Sequence, residues 1–129
     1  MKNIINTPLA PKAVGPYSQA VEAAGMLFIS GQIAIDPATG KLVAGGIREQ
    51  TEQVLKNIGA ILQEAGYTYD DVIKSTCLLA TMDDFAAMND VYARYYTHDQ
   101  PARAAFGAVK LPLGAMVEIE TIASRTGGR

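Results

Sequence analysis

Residues 101–123 read PARAAFGAVKLPLGAMVEIETIA. Two apolar, strand-like runs flank a turn at "LPLG" that would bring them side by side as neighbouring strands, and each run carries a charge that a buried strand does not ordinarily hold. Arg103 stands in the first run and Glu118 in the second. A buried arginine needs an anion, and its planar fork matches a carboxylate. Glu118 or Glu120 could be that partner within the chain, or the carboxylate of a small substrate could serve. Glu118 and Glu120 are two apart, so an extended strand points both to one face, while Val117 and Ile119 take the other. The same pattern fits a solvated sheet face or a carboxylate that positions water beside a cationic anchor.

Upstream of this stretch, "TMDDF" (residues 81–85) offers Thr81 as a helix cap with Asp84 three residues on, an acidic variant of the capping box. The helix that follows shows Phe85, Met88, Val91, Tyr92 and Tyr95 on one side and stops before "THDQP". "VIKSTCLLA" (72–80) is strand-like. From Ile47 to Ala65 the apolar positions Val54, Leu55, Ile58, Ile61 and Leu62 recur at steps of three and four, a helical stripe that Gly66 ends. Nearer the N-terminus, "SQAVEAA" and "MLFISGQIAI" flank Gly25 as a hairpin, and "DPATGK" is a second turn. In the longer strand Leu27, Ile29, Ile33 and Ile35 share one face, with Met26 and Phe28 on the other. With a short strand at "KNIIN", the order is β-β-β-α-β-α-β-β, an α+β arrangement with a mixed sheet.

Two helices cover one face of such a sheet, yet both faces carry apolar residues. The economical way to bury the second is association with further copies of the chain.

The chain has 129 residues, 49% of them hydrophobic and 19% charged, with a formal net charge of −2. That suits one soluble domain spanning residues 1–129. It argues against nucleic acid as a partner, which calls for clustered Lys and Arg. The lone Cys77 excludes an internal disulfide and reads as a small core side chain, at home in a reducing cytoplasm. No stretch has the apolar length of a membrane span or the core of a signal peptide. The dinucleotide, P-loop, zinc-protease and serine-hydrolase motifs are absent, and the only histidine, His98, reads as a solvated residue after a helix end. In "ISGQI", Gly31 fits either a bulge or a backbone N–H presented to a ligand.

Three stretches together resemble the Rid (YjgF-like) family of reactive intermediate deaminases, specifically its RidA branch. They are "GPYSQAV" with "FISGQIAIDPATG", "DDFAAMNDVYARYY", and the combination of Pro-Ala-Arg with Val-Glu-Ile-Glu at a defined interval. The resemblance runs over essentially the whole chain. It implies a chorismate-mutase-like fold of the bacillus type: a six-stranded mixed sheet backed by two helices, assembled as a homotrimer around a central barrel. The ligand clefts then lie between subunits. It also implies hydrolysis of 2-imino acids and their enamine tautomers, 2-aminoacrylate and 2-aminocrotonate, to 2-keto acids and ammonia, without cofactor or metal. Carried over by position, Arg103 holds the substrate carboxylate, Glu118 orients the attacking water and Tyr17 closes the cleft. Ser30 and Gly31 line it, and Asn89 is a cleft-region polar residue. Ala105 stands where many relatives have cysteine, which removes a thiol but keeps a backbone contact. Val109 replaces a smaller residue as a packing change. Other roles described for such proteins stay open: keto-acid sensing without turnover, ribonuclease or translation-inhibitor activity, and chaperone-like behaviour.

Overall fold

The computed structural model describes residues 1–125. In chain order the strands and helices are β1 (Asn3–Ile5), β2 (Ala20–Ala23), β3 (Met26–Gln32), β4 (Ile35–Asp36), β5 (Lys41–Leu42), α1 (Ile47–Ala65), β6 (Val72–Leu79), α2 (Phe85–Tyr95), β7 (Ala102–Gly107) and β8 (Val117–Ser124). Six strands form one sheet in the order β1-β2-β3-β8-β6-β7. Only β6 and β7 run parallel, joined through α2, so the sheet is mixed as expected.

The helices form where the periodicity places them. Helix α1 buries Val54, Leu55, Ile58, Ile61 and Leu62. At its start Glu49 Oε1 accepts the Gly46 N–H at 2.8 Å. Gly66, at φ 83°, ends it in the left-handed region, where glycine has no Cβ to strain. Helix α2 buries Met88, Val91 and Tyr92, with Phe85 and Tyr95 packed at the edge of the core. Its entry is a single 3-10 turn: Thr81 Oγ1 accepts from the Asp83 N–H, and Asp84 makes no cap bond with its side chain. The acidic half of the expected capping box is therefore not formed. The β2–β3 hairpin closes on Ala24 and Gly25, both at positive φ (54° and 74°), a two-residue turn whose twist matches its strands.

The helices cover one sheet face. Against them lie Leu27, Ile29, Cys77, Leu79, Val117, Ile119 and Ala123, all buried. The Cys77 thiol is in this core, where burial pushes its pKa up to about 11. The other face is uncovered. Across it, ladder pairing aligns Ile4, Val21, Phe28 and Ile122 on four successive strands. Phe28 and Phe106 on this face are 44% and 50% exposed. The second apolar face inferred from the alternation is thus present and bare.

Three expectations about the strands need correction. The strand beginning at Met26 is shorter than its hydrophobic run: the ladder to β8 slips between Ile29 and Gln32, and β3 ends at Gln32. Ile33 and Ile35 leave the core face, and Ile35 begins a separate two-stranded ladder with Leu42 around the Asp36–Lys41 turn. Secondly, β7 and β8 are not neighbours, because β6 is inserted between them. The "LPLG" segment is a connection over the end of β6 rather than a hairpin turn. Finally, β7 is the sheet edge, and Arg103 is exposed there rather than buried.

Candidate active site

The β3 irregularity builds the site. At the slip, Ser30 and Gly31 bulge from the ladder, and the Glu118 side chain from β8 lies against Gly31 so closely that a Cβ there would overlap its carboxylate. The bulge expected at Gly31 is formed, and it faces a cleft. That cleft, about 600 Å³, is walled by Tyr17, Ser30, Gly31, Ile33, Leu113 and Glu118. Glu120 also lines it, on the same strand face as Glu118. Burial, and secondarily the charge of Glu120, pushes the Glu118 carboxyl above its ordinary range.

The loop that carries Tyr17 is tied down by Gln19, which is buried. Its Oε1 accepts the Thr7 N–H at 2.8 Å, and its Nε2 donates to the carbonyls of Thr7 (3.0 Å), Ala10 (3.3 Å) and Pro11 (2.9 Å). Ser30 fastens the same loop, its Oγ donating to the Ser18 carbonyl at 2.6 Å and its N–H to the Gln19 carbonyl at 3.0 Å. Tyr17 is left half exposed at the cleft mouth, its hydroxyl accepting from the Val14 N–H at 3.4 Å. Behind the opposite wall, the buried Asn57 amide donates to the carbonyls of Ile33 and Ile35, at 3.3 and 2.9 Å. Gln19 and Asn57 escaped the sequence reading, since a polar residue declares such a role only when its burial is known. Leu113 stands at φ 57°, a backbone conformation rare outside glycine, with its side chain at the cleft rim.

Arg103, Asn89 and Ala105 are elsewhere. In the β6–β7 ladder Arg103 pairs with Ser75 and Ala105 with Cys77, whose side chains face the helices. Arg103 therefore projects to the helix side, where Nη1 donates to Asn89 Oδ1 at 2.6 Å. Its guanidinium lies over the Phe85 and Tyr92 rings. Glu118 pairs with Leu78 on the opposite face. Neither Glu118 nor Glu120 is the internal partner of Arg103. No described residue offers it a carboxylate at ion-pair distance. Ala105 is half-buried against the core beside it, whereas Val109 is fully exposed. His98 is exposed, with Nε2 3.6 Å from Asp70 Oδ1.

One chain thus keeps the candidate residues in two separate places: a cleft with Glu118, Tyr17, Ser30 and Gly31, and an arginine with Asn89 and Ala105 on the other side of the sheet. The family profile described as Endoribonuclease L-PSP matches residues 7–125. The chain belongs to that family. The Rid resemblance read from the sequence points to the same group. A RutC family protein of Pyrococcus horikoshii is 55% identical over 95% of this chain and 98% of its own. The goat (Capra hircus) 2-iminobutanoate/2-iminopropanoate deaminase is 51% identical over 95% of this chain and 90% of its own. Among solved structures, YyfA of the Rid family from Yersinia pestis superposes with a TM-score of 0.95 at 47% identity, covering 97% of this chain and all of that one. The six-stranded mixed sheet with two helices is thus the α+β architecture of the L-PSP and Rid proteins. Among the described residues no helix is long and apolar enough to cross a membrane.

Proposed function

We propose that the protein is an imine deaminase that hydrolyses small 2-imino acids and their enamine tautomers to 2-keto acids and ammonia. The site is completed by a neighbouring copy in a homotrimer, and the working location is the cytoplasm. The observation that carries this reading is the separation of the two charges: Arg103 and Glu118 lie on opposite faces of one sheet, and the face bearing Glu118 is uncovered and exposes apolar side chains such as Phe28 and Phe106. A second copy laid on that face would cover Phe28 and Phe106 and could bring its own Arg103 to the cleft. Relatives named as imine deaminases, at 46–51% identity, supply the chemistry.

Arg103 of one copy holds the substrate carboxylate. Glu118 of the next accepts a proton from water as the water oxygen bonds to C2 and hands it to the nitrogen, giving a carbinolamine. The second proton passes from the new hydroxyl to the nitrogen as the C–N bond breaks, so ammonia leaves and the carbonyl forms. An imine carbon is already electrophilic, so the site needs chiefly an anchor, a fixed geometry and one guided water. Tyr17 closes the mouth, and the Ser30–Gly31 bulge shapes the floor.

The test couples a serine or threonine dehydratase to the purified protein and follows imine decay. Faster keto-acid release, lost in Arg103→Ala, supports the reading. Release no faster than the spontaneous rate refutes it. Tight keto-acid binding without turnover would indicate a regulator instead, and RNA cleavage indifferent to Arg103→Ala would indicate a ribonuclease.

A further inference from the structure

The Arg103 guanidinium is held by three side chains of one helix. Asn89 Oδ1 accepts from Nη1 at 2.6 Å, and Cζ lies 4.9 Å from the Tyr92 ring centre and 5.4 Å from that of Phe85. Phe85, Asn89 and Tyr92 are spaced i, i+4, i+7, so one face of α2 presents all three. None of the three is charged. An arginine offers five N–H donors and no acceptor, so a single tether at Nη1 leaves most of the fork unspent. The rings attract the cation through their faces while supplying no oxygen.

We propose that this cradle is a positioning device whose neutrality is what matters. It fixes the guanidinium plane while leaving its charge for an incoming carboxylate, so that Asn89 acts on Arg103 and not on the substrate. The inference rests on the deaminase reading of the site and deepens it. Surface arginines are commonly steadied by acidic side chains, and an acid at position 89 would grip the fork more firmly than an amide does. It would also occupy donors and cancel charge that a 2-imino or 2-keto acid requires. Holding the side chain beforehand lowers the ordering cost of binding. A neutral acceptor with two aromatic shelves provides that order without a competing anion.

The decisive variant is Asn89→Asp, nearly isosteric with the native side chain, compared with Asn89→Ala and with wild type. The measurements are pyruvate affinity by calorimetry, KM and kcat in the coupled assay, and the melting temperature. Asn89→Asp is expected to keep or raise the melting temperature yet weaken pyruvate binding and raise KM by about tenfold or more, the range expected for a competing charged hydrogen bond. Its pyruvate affinity should recover as acid protonates the introduced carboxylate. Asn89→Ala, which loses order but keeps the charge free, should raise KM less. If Asn89→Asp binds pyruvate like wild type, the cradle proposal is overturned while the deaminase reading stands. The cradle also fails if both variants lose kcat with KM unchanged, since Asn89 would then act at the reacting centre. Wild-type protein that neither binds pyruvate nor speeds imine decay overturns both.

Discussion

Arg103 and Glu118 point to opposite faces of the same sheet, with β6 between their strands. No rotamer change brings them together within one chain. A reaction that needs both must draw one from each of two copies, and this relationship is directly testable by subunit mixing.

Arg103→Ala and Glu118→Gln are each expected to be inactive alone. Unfolded together and refolded as mixed trimers, they should recover about a quarter of wild-type activity. That figure follows because each head-to-tail cleft needs its arginine from one variant and its glutamate from the other. Mixtures that stay inactive, with mixed trimers verified by mass, would place both groups in one chain's site.

The bare face makes a second prediction. Phe28→Asp introduces a charge at the centre of the row Ile4–Val21–Phe28–Ile122. If the proposed trimer forms, the substitution should convert it to monomers in light scattering and abolish imine hydrolysis in the same step, with the secondary structure retained. An active monomer would contradict both the interface and the divided site.

Glu118 links activity to pH and to stability. Its carboxyl is raised above the ordinary value of 4.5 by burial first and by Glu120 second. If ionised Glu118 accepts the proton of water, the acid limb of kcat/KM lies above that of an ordinary glutamate, and Glu120→Gln moves it down. For a raised carboxyl, the stabilising contribution is complete below the unfolded pKa and is lost as pH rises through the folded one. At neutral pH, Glu118→Gln should therefore melt higher than wild type while losing about 10²–10⁴ in rate. A lower melting temperature for Glu118→Gln would contradict this account.

Gln19 is expected to act at a distance from the chemistry. Gln19→Ala removes four hydrogen bonds to the loop bearing Tyr17 and leaves buried backbone groups unsatisfied, at about 1–3 kcal/mol for such a group. Denaturant unfolding should register the loss, and KM should rise because the cleft wall is loosened. Wild-type stability in this variant would show that water replaces the amide fully.

The helices and most strands were legible because their signals are local. Apolar steps of three and four in α1 and α2 and the alternation around Glu118 each report a face that neighbours along the chain define. The β3 strand misled for the same reason: Ile33 and Ile35 continue its alternation, and only the slip against β8 reveals that the register ended before them. Arg103 misled differently. Small apolar neighbours suggest burial, but an edge strand gives such residues no second partner, and edge position is a property of strand order.

By itself the sequence determined the order of the two helices and the six main-sheet strands, though not the small β4–β5 ladder, together with the core-facing stripes, the presence of a second apolar sheet face and, through its motifs, the family. Tertiary structure decided that β6 separates β7 from β8, that the bulge at Gly31 receives Glu118, and that Asn89 rather than a carboxylate holds Arg103. Side-chain periodicity fixes which residues share a face, but which strands lie side by side depends on how α2 carries the chain across the sheet. Parallel pairing of β7 with β6 sets Arg103 at the edge on the helix side, and antiparallel pairing of β8 turns Glu118 to the open one. Two charges separated by a short loop thus end on opposite faces of the sheet.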